Sequence, residues 1–360
     1  MAEHPWVERV ANLHIHSTAS DGTAGVPQIV EAARDAELDV IVITDHNVRL
    51  PEFEGWRNGV LVLVGQELNP FGRPHQDHLL VLGAQHDLSD CTASLQEAID
   101  AARASGGLPL IAHPIEHSGA AANEPDINWI SREVTGLHGI EIWNLMSEFK
   151  SRVHTLAHGL LYAYLPGLAI RGPLPETLRL WDAQLAAGPS VAVGGSDAHA
   201  TVYRLGPLRR RILPYRYLFG GINTHLLLRA DWSREKAQDV SLVIDALAAG
   251  RCFVANDRVA PARGTRYRAE SMDQAATFGG TLPLTSDGVR LVVNLPAPAE
   301  IRLLRDGAVV AQARGASLEH VTRQPGTFRF EAWRRLWARP RAWIFGNPIR
   351  VASPASDRVR

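Results

Sequence analysis

A chain of 360 residues, 46% of them hydrophobic, holds enough apolar material for one large domain and a smaller one. Its formal charge of −1 excludes a global pull toward nucleic acid or an anionic membrane, and 21% charged residues is ordinary for a folded protein. Cys91 and Cys252 lie far apart and outside any C-x-x-C pair, which excludes a disulfide framework and argues against thiolate metal ligation.

The N-terminus, Met1-Ala2-Glu3-His4-Pro5-Trp6, lacks the basic and apolar regions of a secretion signal. No apolar run reaches the ~18 residues of a membrane span, so a cytoplasmic protein is expected. Residues 12–16 read as a first strand. Val26-Pro27 then opens a helix, since proline suits a first helical position, with Ile29, Val30, Ala33 and Ala36 as its apolar face. Residues 39–44 (DVIVIT) are apolar enough for a strand covered on both faces. Runs at 60–65, 79–82, 108–112, 139–143 and 191–193 read the same way, with helical patterns around 93–105, 175–187 and 233–249. This alternation predicts an α/β, barrel-like layer fold over residues 1–260.

After Gly250 the texture changes. Residues 265–352 hold short strand-like runs at 289–295, 300–304, 309–313 and 327–333, punctuated by Asp287-Gly288, Asp306-Gly307 and Pro325-Gly326. Asp306-Gly307 suits a tight type I′ hairpin. The expectation is a small antiparallel β-domain of sandwich type.

Chemistry-bearing residues recur where the apolar runs stop. His14 and His16, two apart on a strand, point to one face. Asp21-Gly22 follows in a loop, and later runs end in Asp45-His46, Glu67, His113 and Asp197-Ala198-His199. Functional residues of barrels and open α/β sheets sit beyond the carboxyl ends of strands. One or two such residues are explained as caps, but hardly six. His78 begins its run instead of ending it. It reaches the same rim if its strand pairs antiparallel with the one leading to Glu67. Imidazole and carboxylate without thiolate suit Zn, Mn or Fe. So many ligands call for two or three divalent ions, Glu67 bridging a pair, and such a centre points to hydrolysis.

The stretch NLHIHSTASDGTAGVPQIVEAARDAELDVIVITDHN closely resembles the polymerase and histidinol phosphatase (PHP) superfamily. The later Glu67, Ala112-His113-Pro114 and Ser196-Asp197-Ala198-His199 follow in that family's order, over roughly residues 10–255. The resemblance implies a distorted (β/α)7 TIM-like barrel with a di- or trinuclear centre, and phosphoesterase activity through a metal-bridging hydroxide. It makes His14, His16, Asp21, His46, Glu67, His78, His113, Asp197 and His199 metal ligands. Asp45 would orient a neighbouring imidazole or touch the leaving group. The Gly139-Ile140-Glu141-Ile142-Trp143-Asn144 element and the tail motif Asn347-Pro348-Ile349-Arg350-Val351 look like the CehA/McbA branch, which includes a carbamate-ester hydrolase.

Asn144 ends a strand at the expected rim, as a substrate contact or as a turn or cap. Arg204 and the run Arg209-Arg210-Arg211 offer guanidinium forks for a phosphate, though a solvated face is the commoner fate of such runs. His75, His117, His154 and His158 read as surface or structural histidines. The arginine-rich stretch 329–341, interleaved with Trp333, Trp337 and Trp343, reads as packing of arginine on indole. The favoured function is hydrolysis of a small phosphomonoester or phosphodiester, with a carbamate or carboxylic ester as the alternative and nucleic acid only as a nucleotide or short oligonucleotide. An amidohydrolase would use a carboxylated lysine, and Lys150 is the only lysine before residue 236. A structural or regulatory PHP module would be marked by lost ligands, and none of these positions is lost.

Overall fold

The computed structural model describes residues 6–73, 75–117, 125–205, 208–272, 274–336 and 339–353. It is a mixed α/β fold with seven α-helices and many strands among these residues. The helix Val26–Asp35 starts on Pro27 and buries Val26, Ile29, Val30 and Ala33. Leu95–Ala104 starts at Ser94, whose hydroxyl accepts from Glu97 N, a capping bond that satisfies a free donor of the first turn. The strands Val40–Ile43, Val60–Val64 and Leu79–Leu82 are buried at every position, as unbroken aliphatic runs covered on both faces should be.

Val7–Asn12 pairs parallel with Val40–Ile43, which pairs parallel with Val60–Val64. The chain then continues as Gln66–Leu68 and changes partner, pairing antiparallel with Leu79–Leu82. Gly65 permits the change, because a Cβ there would lie 2.5 Å from Val81 O. The second sheet runs on through Leu108–Ile111 and Gly139–Asn144 to Val191–Gly195. Backbone bonds join the two sheets beyond their strand ends. His16 N donates to Ala198 O (3.0 Å) and Ala198 N to His14 O (3.1 Å) on one side, and Asn47 N donates to Glu67 O (3.0 Å) on the other.

The first strand lies earlier than residues 12–16. It spans Val7–Asn12, where Glu8 and Arg9 disguise it, and its other edge is held antiparallel by Ile222–Leu228 from far along the chain. His14 and His16 therefore follow the strand, on an extended segment bridged at Ile15 to Ala198. The helices Leu145–Lys150, Leu156–Tyr164 and Tyr215–Phe219 lie outside the periodic runs of the sequence.

Toward the C-terminus the strands outgrow the apolar runs: Val289–Arg305, Ala308–Thr322, Gly326–Leu336 and Arg339–Gly346. Asp306 (φ 49°) and Gly307 (φ 80°) make the tight turn between the first two, both in the left-handed region a type I′ turn demands. Cys252–Asn256 pairs with both Ile222–Leu228 and Arg339–Gly346. One hydrogen-bonded sheet thus crosses the region around 260–265, and an apolar cluster on it joins Leu227 and Phe253 to Tyr267, Phe330 and Trp343. Asn347, 1% exposed, adds a side-chain tie. Its Nδ2 donates to Ala192 O (2.8 Å) and Cys252 O (3.0 Å), and its Oδ1 accepts from Ala192 N (2.8 Å). Among the described residues no helix is long and apolar enough to cross a membrane.

Candidate metal centre

Beyond the ends of these strands the chain gathers a cluster of imidazoles and carboxylates. His14 and His16 arrive on the segment after Val7–Asn12, and His46 follows Val40–Ile43. Glu67 lies within Gln66–Leu68 and His78 precedes Leu79–Leu82, with His113 after Leu108–Ile111. The antiparallel register of Gln66–Leu68 against Leu79–Leu82 is what brings Glu67 and His78 to one rim. Asp197 and His199 follow Val191–Gly195, and Asp21 comes from the loop after His16. That loop returns tightly: a Cβ on Gly22 would sit 2.2 Å from His16 O. Tyr215 pins it, its hydroxyl donating to His16 O (2.7 Å) and accepting from Thr23 N (3.1 Å). Asp197 (φ 52°) and Asn47 (φ 53°) hold left-handed backbone, strain of the kind that collects at functional sites.

Glu67 is the hub. Its Oε2 lies 3.1 Å from His14 Nε2, 3.2 Å from His16 Nε2 and 3.3 Å from His46 Nδ1. Its Oε1 lies 2.8 Å from His78 Nδ1 and 2.9 Å from His113 Nε2. Asp197 Oδ1 stands 3.3 Å from both His16 Nε2 and His199 Nδ1. Asp21 Oδ1 is 3.1 Å from His199 Nε2. All nine residues fall into groups whose ligand atoms lie within 4.8 Å of one another: His16, Asp21, His46 and His199; His14, Glu67 and His113; His14, His16 and Asp197; His46, Glu67 and His78.

Burial alone would raise the Glu67 carboxyl, but His46, His14 and His78 and the bond to His113 hold it well below the carboxylate range. Asp197 is held down against burial by His14, His199 and His16. His14 is pushed well up, against burial, by Asp197, Glu141 and Glu67, and His16 rises to about 9 beside Asp197 and Glu67. Burial, aided by His16 and His78, drives His46 down to about 4 despite Glu67.

The donor set fits divalent cations. His16 Nε2, His46 Nδ1 and Asp197 Oδ1 are buried without a hydrogen-bond partner. Such orphaned atoms are costly in a protein interior, and ions at the centres of these groups would take up their lone pairs. No thiolate joins the cluster, since Cys252 is tied to Asn347 and Cys91 lies on the turn Ser89–Cys91.

Other sequence candidates take different places. Asp45 accepts from Ser17 N and Ser17 Oγ (2.7 Å each) and from Ser20 Oγ (2.6 Å), so its hydrogen bonds shape the loop carrying Asp21 and reach no imidazole. Asn144 caps Leu145–Lys150 by accepting from Ser147 N (2.9 Å), and its Nδ2 donates to Glu141 Oε2 (3.0 Å). Arg204 falls in the strand Val202–Leu205 and its side chain lies outside the described residues, as does Trp337. Arg211 donates to Ala200 O, and Arg210 lies over the Tyr164 ring. His158 stacks on Tyr162.

Two side chains that touch cluster imidazoles escaped the sequence reading. Glu141 approaches His14 Nδ1 with both oxygens (3.2 and 3.3 Å) and accepts from His113 N (2.9 Å), aiming His14 Nε2 at Glu67. A lone carboxylate inside the apolar run Gly139–Asn144, 1% exposed, was the available signal. Asn69 Nδ2 meets His78 Nε2 (3.2 Å) and turns the other ring nitrogen to Glu67. Asn69 is itself held by Asn47, which accepts from Asn69 N and donates to Asn69 Oδ1 (3.0 Å each).

No family model and no curated protein matches the chain. Among solved structures it is similar to a two-domain protein from Bacteroides vulgatus containing a predicted PHP-like metal-dependent phosphoesterase, at 16% identity and a TM-score of 0.45 over 95% of each chain. It is also similar to a candidate metal-dependent phosphoesterase from Bifidobacterium adolescentis (17%, TM-score 0.33) and to an amidohydrolase from Chromobacterium violaceum with bound sulfate and no metal (17%, TM-score 0.31). Each of these covers 52% of this chain and 87% of its own. At these identities and TM-scores the site stands on its own geometry.

Proposed function

We propose that the chain is a metal-dependent hydrolase of PHP type. Its cluster would hold two or three divalent ions (Mn, Zn or Fe) in a TIM-like barrel over residues 1–260, with a β-domain over 265–352. The carrying observation is Glu67, one buried carboxylate facing five imidazoles at 2.8 to 3.3 Å. That is the arrangement of a bridging ligand. The ligand atoms of Glu67 group with those of His14 and His113 and with those of His46 and His78, and His14, His16 and Asp197 together with His16, Asp21, His46 and His199 would complete the centre. Ions held there supply acidified water and stabilisation of the oxyanion that develops on the ester. The chain's own part is to keep ligands ionised and aimed: Glu141 orients His14, Asn69 orients His78, and Asp45 holds the loop of Asp21.

A small phosphomonoester or phosphodiester is the favoured substrate, with an aryl carbamate or carboxylic ester as the second reading from the CehA/McbA-like motifs. A carboxylated-lysine amidohydrolase is disfavoured by Lys150, which sits on the helix Leu145–Lys150 with Nζ 3.3 Å from Glu116 Oε1, paired away from the cluster. The test is metal-reconstituted protein assayed on phosphoesters, nucleotides and aryl carbamates, beside Glu67→Gln. The variant should stay folded, bind less metal and lose turnover by roughly 10³-fold or more. Undiminished turnover in it would overturn the assignment, and activity on one ester class alone decides the substrate.

A further inference from the structure

Away from the metal cluster, a cavity of about 290 Å³ lies between residues 164–170 and the hairpin of Gly326–Leu336 with Arg339–Gly346. Leu145, Leu165, Ile170, Tyr217 and Leu336 give it apolar walls, and Arg258 and Arg341 also line it. None of the nine cluster residues does. Arg341 is only 4% exposed. Among the described residues its guanidinium makes one hydrogen bond, a long one from Nη2 to Leu168 O at 3.4 Å, and its Nε is buried with no partner.

The neighbourhood does not neutralise this charge. Glu148 is the carboxylate acting on it, but Glu148 is paired with Arg152, whose Nη2 lies 3.7 Å from Oε1, and its oxygens are taken by Arg171 N (2.6 Å), Gly172 N (2.9 Å) and Trp143 Nε1 (2.8 Å). Arg171, Arg152 and Arg339 add like charge, and the first two also bury an unpartnered Nε. Arg329 shows how the same fold treats a buried guanidinium it needs for packing. At 2% exposed, it is gripped by both oxygens of Asp182 (2.7 and 2.8 Å) and by Glu331 (2.7 Å). A buried cation without an anion is unfavourable by several kcal/mol unless something supplies the counter-charge.

We propose that this cavity is a second ligand site, which takes a small amphipathic anion with its carboxylate or phosphate on Arg341 and its apolar body against Leu145, Leu165 and Leu336. The volume sits at the lower limit of small-molecule sites, about 300 Å³, so the ligand is compact. The site is independent of the metal reading, since it uses no metal ligand. It does touch the helix Leu145–Lys150, whose cap Asn144 props Glu141.

Calorimetry on the full chain tests this with sodium octanoate and octyl phosphate as probes, octanol as the uncharged control and inorganic phosphate as the control without a body. One octanoate or octyl phosphate per chain is expected, with octanol and inorganic phosphate each at least about tenfold weaker. Arg341→Gln should weaken the anionic probes at least about tenfold and leave octanol unchanged. Leu336→Glu, at the 38% exposed mouth, keeps Arg341 and should weaken the same probes by repulsion, so it decides the matter if Arg341→Gln fails to fold. Octanol binding as well as octanoate, no binding of either anion at millimolar concentration, or unchanged anion affinity in Leu336→Glu overturns the proposal.

Discussion

Among the described residues, buried imidazoles meet carboxylates in two clusters, and they differ in how fully they satisfy themselves. In the smaller one, His225 Nδ1 meets Glu8 (2.9 Å) and Nε2 meets Asp257 (3.1 Å). Glu8 is closed by Arg266 (2.8 Å) and Gly264 N (2.9 Å), and Asp257 by Asn223 (3.0 Å). None of these atoms is left without a partner. In the larger one, imidazoles outnumber the carboxylates around them, and His16, His46 and Asp197 each keep an orphaned atom. Burial and displaced pKa values are common to both, so they do not distinguish a metal site from a structural ion pair. What separates the two is the set of orphaned atoms gathered in the larger cluster.

If the smaller cluster is structural, breaking it should harm the fold and spare the chemistry. His225→Ala leaves the half-buried Glu8 and Asp257 without their shared partner. It should lower unfolding free energy by about 3–5 kcal/mol in denaturant titrations, with the metal content of folded protein unchanged. Loss of metal at full stability would reverse the assignment of the two clusters.

The same cluster predicts an alkaline limit. Burial opposes protonation of His225, but Asp257 and Glu8 overcome it and hold the ring up to about 9. A folded-state pKa above the unfolded ~6.5 gives stability that is whole below ~6.5 and is lost as pH rises through about 9. The contribution is about 3 kcal/mol. Wild type should lose about that much stability between pH 6.5 and 9.5, and His225→Ala should lose clearly less. Parallel pH profiles for the two proteins would remove His225 as the cause.

Within the larger cluster, Glu141 separates aiming from ligation. It contacts His14 on the side away from Glu67, so Glu141→Gln should weaken metal affinity or turnover about 10- to 100-fold while ion stoichiometry at saturation stays the same. A lost ion at saturating metal would make Glu141 a ligand.

The clusters also differ in how far they could be seen in the sequence. His46 after VIVIT, Glu67 after VLVLVGQ and His113 after LPLIA interrupt apolar runs, and a polar residue at such a boundary is visible without knowing its partners. Glu141 gave less, because its meaning depends on His14, 127 positions away. The strand Val7–Asn12 was hidden because Ile222–Leu228 supplies the edge that makes VERVAN a strand. The tail motif beginning at Asn347 was legible as a pattern. Only the fold shows that its amide ties Val191–Gly195 to Cys252–Asn256. Asp45 sits among visible ligands yet serves a loop, since spacing marks proximity and not the direction of a side chain.

Asn144 allows the finest division, since one side chain both caps a helix and props a positioning carboxylate. Asn144→Ala removes both bonds and should lower stability by about 1 kcal/mol, the usual cost of a lost N-cap. Asn144→Ser restores an acceptor for Ser147 N but is too short to reach Glu141, so stability should return while metal affinity stays a few-fold low. If metal affinity instead recovers together with stability in the serine variant, the bond to Glu141 does nothing for the centre. His113 N and His14 Nδ1 would then suffice to hold Glu141.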